Sequence, residues 1–579
     1  MRAPARLLAP LALILGLACG GPTTRVEPVL KDMPFATLRA DDFAVHPRLG
    51  IEIGRRHLVV LLRLEADDAA VRAALAAVGG ELAGLDLALR LAFVRLPEAA
   101  GWDGLDAALA TLAAHPAVES VTHDPVLEPA VTPPPRDGLV DHRSVNWMVD
   151  GGWNWGLKAI GAPQAWNLVP FLRALEGAQP RRVTVGVVDS QFSDHPDLAG
   201  VYSFHHRELG DGRGDELIST NTTNAHGTFV AGEIAALWNG QHVDGIVPPP
   251  FARVIAAFEP GDGDVAADLP ESFGRSLVRA ADVLAGADAS LRVVNISLGF
   301  NWATRCFPRG TGARCDPRDS NRVPDARCDD VDVRLSIRDS GRAFKAFTAR
   351  VNATRPVLFV VAAGNDSGTA TSRVSVCGLT NAPRMGLLPA AFGSPMANAG
   401  LEQRDPNTLV VGAHDPTGSA SGPVRESLFS NADAHLLAPG DRVGGLVGSS
   451  GRWTSDAWSG TSMAAPFVAG AAAYLHLLNP RLDNAELRRL LAVNVVSVTD
   501  PRGAPTGNEP VLHLGQAVAR MEVLLPGGAT VPGERLLADL DDGSEDGFDR
   551  EPVGTPQARS YRDIRVDLAD MRAFRAMWW

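Results

Sequence analysis

The chain has 579 residues, 45% of them hydrophobic and 21% charged, which is enough to bury a large core and by length to fill roughly two to four domains. Its net charge of -13 leaves no basic excess of the kind that a phosphate backbone selects, so no nucleic-acid partner is expected.

Residues 1–19 read as a signal peptide. Arg2 and Arg6 precede the apolar run Leu7 to Leu17, which is short for a bilayer span but suits a signal core, and small residues follow. Export is therefore expected, to the extracellular space or to the outer surface or periplasm of a bacterium. The segment L-G-L-A-C ending at Cys19 resembles a bacterial lipobox, with Gly16 where leucine is usual; membrane anchoring through a lipidated Cys19 and plain signal cleavage both remain open. The other cysteines are Cys306, Cys315, Cys328 and Cys377. An even number in an exported chain favours disulfides, and their spacing is unlike a C-x-x-C metal site.

Residues 20–54 have little periodicity and read as a linker. Residues 55–130 read as a small α+β unit: a strand from His57, a helix from Ala69 to Val78, an apolar segment over 87–96, a helix near Leu105 to His115 and a last strand over 117–122. That order predicts a compact ferredoxin-like module. The Pro-rich stretch at 131–147 reads as an exposed, cleavable linker.

Within 148–500, the near-continuous apolar runs Val183 to Val188, Val254 to Phe258, Val293 to Ser297, Val357 to Val361 and Leu409 to Val411 alternate with helical patterns. Runs without polar alternation mean strands buried on both faces, hence an α/β fold with a mostly parallel sheet between helical layers. Reactive groups in such sheets gather beyond the carboxyl ends of the strands. Residues 301–333 are polar, Gly- and Pro-rich and Cys-containing, and read as a surface insertion held by disulfide. Residues 501–579 form an acidic extension whose runs at 539–549 and 566–575 resemble half of a dockerin, without a full calcium loop.

Three motifs supply chemistry. V-T-V-G-V-V-D-S puts Asp189 directly after a strand, H-G-T-F-V-A-G puts His226 at the start of a helical pattern, and G-T-S-M-A-A-P puts Ser462 at another. Taken singly, these would be a turn aspartate, a packed histidine and an N-capping serine. Together they are a carboxylate, an imidazole and a hydroxyl, the set that turns a serine into a nucleophile.

With V-V-A-A-G-N ending at Asn365, N-I-S-L-G at 295–299, F-S-N-A at 429–432 and L-A-P-G at 437–440, these motifs resemble the subtilisin-like serine peptidases over roughly residues 150–500. The order Asp, His, Ser is that of this family and differs from the orders of chymotrypsin-like and α/β-hydrolase enzymes. The resemblance implies a three-layer subtilisin-like domain with a preceding inhibitor-type propeptide at 55–130. It also implies an Asp189, His226 and Ser462 triad, with Asn365 and the Ser462 N–H as oxyanion hole.

Ser297, Leu298 and Gly299, with Ala362, Ala363 and Gly364, are implied as edge strands for an extended peptide. The expected partners are protein or peptide substrates and the chain's own propeptide, in a monomer. No cofactor is required for the chemistry, and structural calcium is left open. Two positions depart from the family pattern: Gln191 stands where glycine is usual, and Phe229 where histidine is common. A pseudo-enzyme that binds peptides without cutting them is the alternative; an esterase is disfavoured because no G-x-S-x-G elbow surrounds Ser462.

Overall fold

The computed structural model describes residues 28–129, 155–172, 181–204, 226–257, 271–299, 331–365, 405–416, 424–449, 452–499 and 505–540, less short gaps at 37, 50, 51, 170, 190, 191, 194, 239–242, 250 and 431–433. The candidate positions Cys19, Cys306, Cys315, Cys328, Cys377 and Gln191, the polar part of the insertion and the acidic runs beyond 540 lie outside them.

The N-terminal module runs β1 (His57–Leu62), α1 (Asp68–Val78), β2 (Glu81–Asp86), β3 (Leu91–Arg95), α2 (Gly101–Ala113) and β4 (Val118–Thr122). Its antiparallel sheet has the order β2-β3-β1-β4, the ferredoxin-like arrangement. Helix α1 starts where the Asp67 carboxylate accepts the Ala70 N–H and stops at Gly79, whose φ of 61° is left-handed. The apolar stretch at 87–96 is not one element. It divides into a turn, with Arg90 at φ 53°, and β3, while β2 precedes it. Strand β2 has an exposed start and a glycine at 84, so it carries no clean alternation to read.

Residues expected as linker before the module also have structure. Phe43–Val45 pairs antiparallel with Glu52–Gly54, and Phe35, Leu38, Phe43, Leu49 and Ile53 are buried in the module's core. Burial of those side chains, about 1.5–3 kcal/mol each, overrides the absence of a periodic pattern.

After the module comes β5 (Val126–Pro129), and then the large domain: β6 (Val183–Val188), β7 (Tyr202–Phe204), α3 (His226–Ala235), β8 (Ala252–Ala257), β9 (Glu271–Ser272), α4 (Phe273–Gly286), β10 (Leu291–Ile296), β11 (Leu298–Gly299), α5 (Val331–Thr354), β12 (Leu358–Ala362), β13 (Thr408–His414), β14 (Leu436–Pro439), β15 (Val443–Ser449), β16 (Arg452–Trp458) and α6 (Thr461–Leu478). Seven strands form one sheet in the order β14-β13-β12-β10-β6-β8-β7, every pair parallel. Strands β6 and β12 are buried along their whole length, which is why they read as unbroken apolar runs. Helix α6 is buried at every residue and packs beneath β12 and β13. Its length and apolarity would suit a bilayer span; here they line a protein core.

Two apolar cores lie on opposite faces of this sheet. One surrounds α3 and α6 and includes Leu512, Leu514, Val518, Val523 and Leu536, so residues 505–540 pack into the large domain. Arg181 ties that region down: its guanidinium donates to the carbonyls of Leu477 and Leu478, at the end of α6, and to Leu524. Burial pushes this Arg181 down to about 10. The other core is shared between the module's sheet and helices α4 and α5, joining Val60 and Phe93 to Phe273, Leu277, Phe344 and Phe347. Arg350 of α5 donates to the carbonyls of Leu62 and Leu89 and pairs with Glu119 across the same seam.

Candidate active site

Asp189 follows β6, Ser297 follows β10 and Asn365 lies three residues beyond β12, so three strands deliver their groups to one end of the parallel sheet. Helices α3 and α6, which pack against each other, bring His226 and Ser462 to the same end. Asp189, His226 and Ser462 are all buried.

The Asp189 Oδ1 and His226 Nδ1 atoms are 2.5 Å apart. Because a carboxylate only accepts, this contact fixes the imidazole proton on Nδ1 and makes Nε2 the acceptor. Nε2 is buried and has no hydrogen-bond partner among the described residues. The loop after Asp189 is tied to α3, where the Ser193 N–H donates to Thr228 Oγ1 at 2.7 Å, and Arg279 donates to the Asp189 carbonyl at 3.0 Å.

Ser462 is the second residue of α6, so its N–H has no acceptor within the helix. Its carbonyl is also spare, because the residue four further on is Pro466, which has no N–H to give. Ser297 fills that vacancy: its Oγ donates to the Ser462 carbonyl at 3.0 Å and receives the Asn295 side-chain amide at 2.9 Å. In return, the Ser462 hydroxyl donates to the Ser297 carbonyl at 2.8 Å. The nucleophile candidate therefore donates its hydroxyl hydrogen to the carbonyl of a residue beside the candidate substrate strand.

Asn365 is oriented by Thr461. The Thr461 N–H and hydroxyl both donate to Asn365 Oδ1, at 2.9 and 3.0 Å, and the Gly364 N–H donates to Thr461 Oγ1. Two donors on one side of the amide leave Nδ2 on the other, buried and without a partner among the described residues. The turn that carries Asn365 needs φ 93° at Gly364, a conformation open to glycine.

The edge that Leu298 and Gly299 offer is paired by the chain itself. Strand β5 lies between β9 and β11, antiparallel to both, with Leu127 opposite Glu271, Val126 opposite Ser272, Glu128 opposite Gly299 and Pro129 opposite Leu298. Leu298 and Gly299 thus lie where the sequence puts a substrate edge. Ala362 does not: it pairs with Val411 inside the parallel sheet, and the Ala363 N–H donates to the Val411 carbonyl. The other strand against β5 is Glu271 and Ser272, which the sequence pattern did not show because two residues are too few to show a period. Trp458, four residues before Ser462, also escaped notice. Its indole stacks on Phe229, centroids 4.8 Å apart at 10°, and on His226, 6.3 Å apart at 22°.

Seven residues beyond His226 on α3, Glu233 is buried, and neither carboxylate oxygen has a partner among the described residues. Burial raises its pKa well above the usual carboxylate range, which favours the neutral form. Among the described residues no group of three or more His, Cys, Asp or Glu side chains is placed to hold a metal ion, so no calcium site is assigned.

The sequence profile of the subtilase family matches residues 181–515. Subtilisin BL of Lederbergia lenta is 29% identical over 349 residues, covering 59% of this chain and 91% of that protein. Subtilisin Savinase of the same organism is 29% identical over 348 residues, with the same coverage of each chain. Among solved structures, fervidolysin from Fervidobacterium pennivorans, described as a keratinolytic enzyme related to subtilisin, superposes with a TM-score of 0.50 at 19% identity; the match covers 86% of this chain and 65% of fervidolysin. The seven-stranded parallel sheet, the approach of its strand ends to α3 and α6 and the profile match over more than half of the chain lead to one assignment: the chain belongs to the subtilase family, whose members are serine endopeptidases.

Proposed function

We propose that the chain is an exported serine endopeptidase in which Ser462 attacks the scissile carbonyl, His226 is the base, Asp189 orients it and Asn365 stabilises the oxyanion. The observation that carries this reading is the buried Asp189 contact to His226 Nδ1, which leaves Nε2 open as a proton acceptor. As the Ser462 oxygen bonds to the carbonyl carbon, its proton passes to Nε2 and the carbonyl electron pair moves onto oxygen. The Asn365 Nδ2 and the Ser462 N–H are the donors for that charge. His226 then returns the proton to the leaving amine, and water repeats the sequence on the acyl-enzyme. The chemistry requires no metal or cofactor.

Peptides are the substrate class because the slot between β9 and β11 takes an extended strand through backbone pairing. The unit at 55–130, whose segment β5 fills that slot, is read as an inhibitory propeptide. Export is proposed from residues 1–19, with disulfides among Cys306, Cys315, Cys328 and Cys377; four free thiols in the secreted protein would remove the second idea.

The hydroxyl of Ser462 resting on the Ser297 carbonyl also suits a cleft that binds peptides without cutting them. A serine-directed phosphonate separates the two readings. The expected outcome is covalent label mapped to Ser462 and none in Ser462→Ala, with casein hydrolysis lost in the same variant. Labelling of Ser462→Ala at the wild-type rate would overturn the assignment.

A further inference from the structure

We propose that Trp458, held flat by Phe229, is a positioning residue for the His226 imidazole, an inference that rests on the peptidase reading. A single hydrogen bond to Asp189 sets one edge of the ring but leaves the ring free to rock about that contact. Trp458 supplies a second constraint. Its indole lies nearly parallel to the imidazole, at 22°, and nearly coplanar in orientation with Phe229, at 10°. His226 and Phe229 are one helical turn apart on α3, so the same face of the helix presents both rings to one indole.

The indole is itself fixed. Trp458 ends β16 opposite Val443 of β15, and the chain beyond it is pinned at once. Ser459 accepts the Arg442 N–H and donates to Asp441, and the Gly460 N–H donates to the Gly440 carbonyl at 2.7 Å. Phe229 is fully buried against this hairpin, where Gly445 leaves it room: a Cβ there would stand 2.4 Å from the phenyl ring. Phenylalanine at 229 is thus matched to the hairpin that leads into Ser462.

The size of each effect decides which matters. At 6.3 Å the indole face lies just beyond the roughly 6 Å within which a ring attracts a cation appreciably, so direct stabilisation of the imidazolium is the smaller part. Orientation is the larger: a misplacement of about 1 Å at a reacting group costs on the order of 100-fold in rate.

The test has two readouts. In the full chain carrying Ser462→Ala, the ring-proton resonances of His226 are followed by NMR. Trp458→Leu is expected to shift and broaden them, and Trp458→Phe to restore a narrow line. In the active enzyme, kcat per active site titrated with phosphonate should fall about tenfold or more in Trp458→Leu, with KM within about twofold, and recover to within about threefold in Trp458→Phe. Phe229→Leu should give a smaller loss, and the double variant Phe229→Leu with Trp458→Leu no more than Trp458→Leu alone. Unmoved resonances with wild-type kcat per titrated site in Trp458→Leu would overturn the proposal. Should that variant not fold, Phe229→Leu decides by the same two readouts. Should the wild type show no Ser462-dependent hydrolysis, the peptidase reading fails, and the resonances still decide the stack.

Discussion

At the scale of single residues, the sharpest anomaly is a buried carboxyl group with no partner among the described residues. Glu233 lies about 10 Å along α3 from His226, and burial raises its pKa well above the usual carboxylate range. Its folded pKa is raised, so between about pH 4.5 and that value the native state keeps a proton that the unfolded state releases; stability therefore falls as pH rises through this window. Glu233→Gln removes the ionisation at constant shape. The two melting curves should agree near pH 4.5 and separate in favour of the variant as pH rises, by at most about 1.4 kcal/mol per unit. Parallel curves from pH 5 to 9 would show that Glu233 finds a partner.

His414 works in the opposite sense, because burial lowers its pKa to about 4. Its contribution is complete above about pH 6.5 and is lost as pH falls toward 4, so His414→Gln should flatten the acid side of the stability profile. The candidates Asp189, His226, Ser462 and Asn365 were legible in the sequence through the motifs that carry them, since each alone would read as a turn, packed or capping residue. Glu233 and Trp458 were not, since what makes each of them matter is the set of groups around it, contributed by elements far away in the chain.

At the scale of elements, helix α4 is capped from outside its own domain. Ser272 is its N-cap, and Asp124 of the module accepts the Gly274 N–H at 2.6 Å, the Ser272 hydroxyl at 2.8 Å and His57 Nε2 at 2.7 Å, all buried. The module is thus held to α4 by a carboxylate with its acceptor sites in use as well as by apolar contact. Asp124→Ala leaves a buried N–H, a hydroxyl and an imidazole without their acceptor, at a cost of roughly 2–4 kcal/mol. Differential scanning calorimetry of the uncut Ser462→Ala chain should show the module's transition moved down by several degrees, and an unchanged thermogram would mean that water replaces the carboxylate. The apolar runs made β6, β8, β10, β12 and β13 readable, since burial on both faces writes itself into composition. Strands β7, β9, β11 and β14 have only two to four residues each, and tertiary contact defines them.

At the scale of the whole molecule, the module, its following strand and the cleft form a single chain path that leads toward Ser462. Glu128 is opposite Gly299 and Pro129 opposite Leu298, so β5 runs toward Ser297, whose carbonyl holds the Ser462 hydroxyl. If the module is a propeptide, the bond cut is expected just beyond Pro129, after Ala130, at the start of the Pro-rich stretch that ends near Trp147. Exported wild-type protein should then yield a shortened form whose N-terminal residue is Val131, and Ser462→Ala should accumulate uncut. The separated module, still buried against α4 and α5, should inhibit the mature enzyme until it is degraded, so activity should lag behind cleavage. A mature N-terminus well beyond residue 131 would show that the bond cut is not the one just beyond β5. Equal full length in both proteins, with casein digested by the wild type, would make the module a permanent domain and β5 a strand that leaves the slot whenever substrate enters.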